Sequence, residues 1–126
     1  MPVIDVEIVA RPGETITDDL ARRIADLAGE VFQTPPGRTW VKLRTLPAAH
    51  YAENGCGPPE GVYPVFVSVL KSQQPSQEEG TAELAKLTTA IAQACGRPRE
   101  NVHVLYLPDA AGRMAFGGRL VSRRRG

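Results

Sequence analysis

The sequence predicts an α+β domain, in which a βαβ unit occurs twice and folds into one four-stranded sheet with two helices on one face. Three observations carry this. The opening Pro2-Val3-Ile4-Asp5-Val6-Glu7 is echoed in mid-chain by Pro64-Val65-Phe66-Val67-Ser68-Val69. Each echo leads into the same order of strand, helix and strand. Leu46-Pro47 at the end of the first copy is matched by Leu107-Pro108 in the second. Two copies are too few for a solenoid, so a layered βαββαβ domain remains. The boundaries that follow are copy one at 1–47, a link at 48–63, copy two at 64–118 and a basic tail at 119–126, all within a single domain.

In the first strand, Ile4, Val6 and Ile8 alternate with Asp5 and Glu7, the period of a half-buried strand. Arg11-Pro12-Gly13 breaks it. Thr15 or Thr17 then caps a helix whose Asp18 and Asp19 suit the positive end of the helix dipole, and Leu20, Ile24, Leu27 and Val31 form its apolar stripe. Thr34-Pro35-Pro36-Gly37 ends that helix. From Thr39 to Leu46 the alternation returns, with Val41 and Leu43 on one face and Trp40, Lys42 and Arg44 on the other. The stretch from Pro47 to Tyr63 is rich in turn residues and reads as the link. Val65 to Leu70 is a nearly continuous apolar strand. Ser76 and Glu79 form a capping box for a second helix, which buries Leu84, Leu87, Ile91 and Cys95 and closes at Gly96. Asn101 to Leu107 is the fourth strand. With both helices on one face, the other is left uncovered, with Trp40, Phe66 and Leu105 directed to it. A homo-oligomer with sheets facing inward is the usual way to bury such a surface.

Composition narrows the function classes. A net charge of +1 over 126 residues gives no electrostatic reason to expect a nucleic-acid or membrane partner. Arg123-Arg124-Arg125 is the one local bias, read as a solvated tail with anion or acidic-partner binding as the alternative. Cys56 and Cys95 lack the spacing of a metal site and the density of a disulfide scaffold, and are read as free thiols. No stretch has transmembrane length and the N-terminus lacks a signal-peptide pattern, so the expected location is cytoplasmic.

The chemistry-bearing candidate is Pro2. Removal of Met1 leaves a secondary amine at the start of a strand, a base and nucleophile that no internal residue supplies. Pro64, an internal tertiary amide, has no such role. The plainer reading is a proline placed where strands tolerate one, at their first residue. His50 and His103 have no evident Ser, Cys or Asp partner, which leaves a catalytic triad without support.

An N-terminal proline on a duplicated βαβ unit, together with Arg97-Pro98, Val102-His103-Val104, Pro108 and Met114-Ala115-Phe116-Gly117-Gly118, resembles the tautomerase superfamily over nearly the whole chain. The likeness is to the fused two-copy relatives of 4-oxalocrotonate tautomerase and, more distantly, to macrophage migration inhibitory factor. It implies a cofactor-independent keto–enol tautomerase, trimeric, acting on a small 2-keto or 2-hydroxydienoate acid with the Pro2 nitrogen as general base. Desolvation and nearby cations would keep that amine neutral near pH 7. Arg11, Lys42, Arg44, Lys71 and Arg113 fall at positions the family uses for such cations or for a substrate carboxylate. Met114 and Phe116 belong to its substrate-lining motif. His103 stands where a neighbouring subunit offers a group to the proline, with a histidine bonded on a strand face as the alternative. Glu53 resembles a water-activating glutamate of the chloroacrylic acid dehalogenases. Two other readings stay open, a hydratase- or dehalogenase-like member and a non-catalytic ferredoxin-like binding or assembly protein.

Overall fold

The computed structural model describes residues 2–55 and 60–122; Cys56 and Arg123-Arg124-Arg125 lie outside them. The four-stranded sheet and the two helices expected from the sequence are present. Strand β1 (Val3–Ala10) buries Ile4, Val6 and Ile8 on the helix side, as the alternation requires. Helix α1 (Leu20–Phe32) buries Leu20, Ile24 and Ala28, with Val31 packed at the margin. Its start corrects the expected cap. Thr17 Oγ1 donates to Asp19 Oδ1 at 2.6 Å and Leu20 N–H to the Thr17 carbonyl at 3.2 Å, so both aspartates precede the first turn and no side chain caps it. The side-chain bond occupies the Thr17 hydroxyl, and the turn itself is closed by the Leu20 N–H on the Thr17 carbonyl.

Strand β2 (Trp40–Pro47) runs parallel to β1, with Val3 opposite Trp40. Strand β3 (Val65–Leu70) follows the link and runs antiparallel to β1, with Val6 opposite Val67 at the centre of the pair. Helix α2 (Gln77–Cys95) opens on Ser76, whose Oγ accepts from Glu79 N–H at 3.2 Å and donates to Glu79 Oε1 at 3.1 Å. It closes at Gly96 with φ 65°, a conformation glycine adopts without steric cost. Strand β4 (Val102–Tyr106) pairs with β3 in parallel. The strand order is therefore β2-β1-β3-β4. The offset between Val3 and its partner Trp40 equals that between Val65 and its partner Val102, so the copies repeat in geometry as well as in sequence.

A short hairpin of β5 (Ala115–Phe116) and β6 (Arg119–Leu120) turns on Gly117-Gly118 and carries paired backbone two residues beyond 118. The core lies between the sheet and the helices and is built from Ile4, Ile8, Ile24, Val65, Val69, Leu87 and Ile91 with their neighbours. On the opposite face Trp40, Phe66 and Leu105 are 44%, 39% and 59% exposed, so the chain alone leaves that face uncovered. Among the described residues, no helix is long and apolar enough to cross a membrane.

Candidate active site

The register places Pro2. One step beyond the Val3–Leu70 pair, an antiparallel ladder sets residue 2 opposite residue 71, and the Pro2 carbonyl accepts from Trp40 N–H at 3.0 Å. Pro2 is buried and lies on the helix side of the sheet, in phase with Ile4 and Ile8. It lines a cavity of about 460 Å³ with Phe32 and Thr34 from the end of α1, Lys71 and Ser72 after β3, and Glu83 of α2.

Within this cavity Lys71 is held from two sides. Its Nζ donates to both carboxylate oxygens of Glu83 at 3.1 Å and lies 5.0 Å from the centre of the Phe32 ring, a cation–π contact. The Tyr106 hydroxyl donates to Glu83 Oε1. Burial, together with the Glu83 carboxylate, raises the Tyr106 pKa, so this hydroxyl stays a donor across the physiological range. The segment after β3 is fixed by Gln74, whose backbone N–H donates to Asp109 Oδ1 and side-chain amide to the Leu107 carbonyl, both at 2.8 Å. At Gly80 the helix comes close to its surroundings, because an added Cβ would stand 3.3 Å from Pro75 Cγ and 3.7 Å from the Tyr106 ring. The missing side chain lets the first turn of α2 sit down over the pocket.

Of the expected site residues, Pro2 and Lys71 are brought together. The others lie elsewhere in the chain. Arg11 is at the opposite end of β1, where it binds Glu14 at 3.0 Å and the Gly96 carbonyl at 3.1 Å. Lys42 is on the open face, 3.2 Å from Asp5 Oδ1, with Arg44 between Asp5 at 3.8 Å and Glu7 at 3.9 Å. The contact from Lys42 to Asp5 Oδ1 neutralises charge without a well-directed hydrogen bond, since that buried oxygen has no such partner. Arg113 donates to the carbonyls of Asp109 and Pro108, both at 2.9 Å, and so closes its own turn. Met114 is half-buried beside it, and Phe116 packs edge-on against Trp40 with centroids 5.2 Å apart.

His103 and Glu53 share a second locality at the far end of the open face. The His103 ring lies 5.5 Å from Phe66, Phe66 lies 6.0 Å from Tyr51, and Tyr51 donates its hydroxyl to Glu53 at 2.7 Å. The hydrogen bond to Glu53 raises the Tyr51 pKa. Neither residue lines the Pro2 cavity of its own chain.

Residues that the sequence reading did not single out as functional complete the picture. Glu83 sits one turn before Leu87 on the buried side of α2, and Tyr106 follows Val102 and Val104 on the helix side of β4. A carboxylate at stripe spacing and a tyrosine in an inward phase were the available signals. At the other end of the sheet, the buried Arg97 spends all five of its N–H donors: on Glu14 at 2.7 and 3.0 Å and on the carbonyls of Tyr63, Val9 and Cys95. The Arg97 hydrogen bonds lower the Glu14 pKa to about 2, against an opposing effect of burial. Cys95 alongside is pushed up to about 11 by burial, so its thiol stays protonated. Among the described residues no group of His, Cys, Asp and Glu has the arrangement of a metal site.

No protein-family model matches the chain, and no curated protein matches it in sequence. Solved structures do match it in shape. A wild-type fused 4-OT, a symmetric trimer, superposes with a TM-score of 0.74 at 18% identity over 94% of each chain. The macrophage migration inhibitory factor of Oncomelania hupensis gives 0.70 at 21% identity, over 95% of this chain and 81% of that one. A malonate semialdehyde decarboxylase inhibited by 3-bromopropiolate gives 0.67 at 18% identity, over 91% and 88%. At these identities the likeness establishes the fold alone, the α+β arrangement shared with these structures.

Proposed function

We propose that the chain is a cofactor-independent keto–enol tautomerase whose general base is the amine of Pro2 after removal of Met1. The observation that carries this reading is the position of Pro2, buried at the mouth of β1 in a cavity whose other wall holds the Lys71 ammonium. In the reaction the neutral amine takes the enol proton and delivers it to the carbon next to the forming ketone, so one proton moves and the substrate is otherwise unchanged. Lys71 holds the substrate carboxylate. Burial of the site favours the uncharged amine, because desolvation disfavours its protonated form.

The assembly proposed with it is a homotrimer whose open sheet faces turn inward. That arrangement covers Trp40, Phe66 and Leu105, and it offers the His103 locality to a neighbouring chain. A fused 4-OT of the same fold is a trimer, which supports this arrangement. Sedimentation of a stable monomer at micromolar concentration would refute it. The test of the reaction is an enol-to-keto assay on phenylenolpyruvate, with an N-terminus carrying one extra residue that resists processing. The expected result is loss of activity, since the base has become an amide. Turnover at the wild-type rate by that blocked protein, shown intact by mass, sinks the reading.

A further inference from the structure

Lys71 and Arg97 are both paired with a carboxylate, yet only Lys71 has donor capacity left over. An ammonium has three N–H bonds, and Glu83 takes two of them. Among the described residues no further acceptor is bonded to Nζ, and Lys71 lines the Pro2 cavity. One donor is therefore left over on a residue that lines the space where a ligand would sit. The remaining charges on that wall are negative: Glu83 itself, fixed by Tyr106, and Glu79, whose carboxylate accepts from Ser76. The other cations singled out above are engaged elsewhere in the chain, Arg11 by Glu14, Lys42 by Asp5 and Arg113 by carbonyls.

We propose that Glu83 makes this cavity selective for 2-keto acids with a single carboxylate, and that Tyr106 is the positioning residue that holds Glu83 to that task. The proposal deepens the tautomerase reading and rests on it for the identity of the site. A monocarboxylate satisfies the one free N–H of Lys71, while its apolar tail finds Phe32 and Pro75. A second carboxylate on the same molecule would meet Glu83 and Glu79 at close range in a partly desolvated space, where like charges repel strongly. Specificity here is a built-in repulsion, because Glu83 is already occupied on both oxygens and cannot turn away.

Calorimetric titration of the processed, full-length protein with phenylpyruvate, a monoacid, and 2-oxoadipate, a diacid, tests this without relying on turnover. In the wild type the monoacid should bind at least about tenfold tighter. Glu83→Gln should narrow that gap by about tenfold through gained affinity for the diacid, with the monoacid changed less than about threefold. Tyr106→Phe keeps both charges but frees Glu83 to turn away, and should narrow the gap part of the way with the monoacid changed less than about threefold. Lys71→Met should weaken the monoacid by about tenfold or more. If Glu83→Gln does not fold by circular dichroism, Glu83→Asp, which draws the charge back, should narrow the gap part of the way. An unchanged ratio in the folded Glu83 variant, tighter diacid binding in the wild type, or no binding of either acid overturns the proposal. Lost tautomerase activity with selective binding intact would instead overturn the assigned reaction and support the carboxylate site.

Discussion

The two ends of the central β1–β3 pair share a plan and complete it in opposite ways. Each strand starts with a proline, each proline is buried, and each lies near a cation paired with a glutamate. At the Pro64 end the cation is Arg97, 1% exposed at its side chain, with every donor spent on Glu14 and three backbone carbonyls. At the Pro2 end the cation is Lys71, 22% exposed, paired with a glutamate that a tyrosine steadies, beside a cavity. What separates the two ion pairs is whether all their donors are spent. Saturated donors and full burial lock the first, whereas a spare donor and an open wall equip the second.

The largest way to break the comparison is to exchange the prolines' fates. Pro2→Ala should lower kcat about 10²- to 10⁴-fold, the usual share of a general base, while Pro64→Ala leaves kcat within about twofold. Steady-state kinetics on phenylenolpyruvate, with folding checked by circular dichroism, decides it. Next comes stability. Arg97→Ala strands Glu14 and three carbonyls and should cost roughly 3–5 kcal/mol in urea unfolding, whereas Lys71→Ala should cost about 1 kcal/mol or less. Equal costs would erase the distinction between the two pairs.

A pH series sharpens the same contrast. The folded-state pKa of Glu14 lies near 2, below the value of 4.5 it has without its partners. A depressed carboxylate contributes its stability above the unfolded pKa and loses it as pH falls through the folded one. The contribution, roughly 3 kcal/mol at neutral pH, should therefore disappear between about pH 4.5 and 2, and Glu14→Gln should flatten that part of the stability curve. A single-bond effect is Tyr106→Phe, at about 1.5 kcal/mol of stability for one hydrogen bond to a charged group, read in the same unfolding assay.

Much of the fold was legible because alternation and helical spacing are local. Ile4-Val6-Ile8, Leu87-Ile91 and the Ser76–Glu79 cap each announce their element within a few residues. Ala28 was passed over because a small residue gives a weak periodic signal. The α1 start was misplaced because Thr17 bonds Asp19 instead of capping, a choice between two local hydrogen bonds that sequence does not rank. The β5–β6 hairpin has strands of two residues, too short for a period, although Gly117-Gly118 is a turn signal. Within the candidate site, Pro2 was readable from its position and Lys71 from the end of its strand. Glu83, Tyr106 and Arg97 owe their roles to α2 docking on the sheet, a tertiary event with no local mark.

The strand order has a consequence in time. Every pairing in the four-stranded sheet joins segments separated by a helix or by the whole first copy, so none is a local hairpin. Closing such loops costs chain entropy before contacts repay it, which makes for slow folding. Strand β1 leaves the ribosome first, yet its antiparallel neighbour comes only after the link has been made. Until β3 and α2 arrive, the N-terminal segment has no cavity around it. The enclosure of Pro2 is thus a late step in folding.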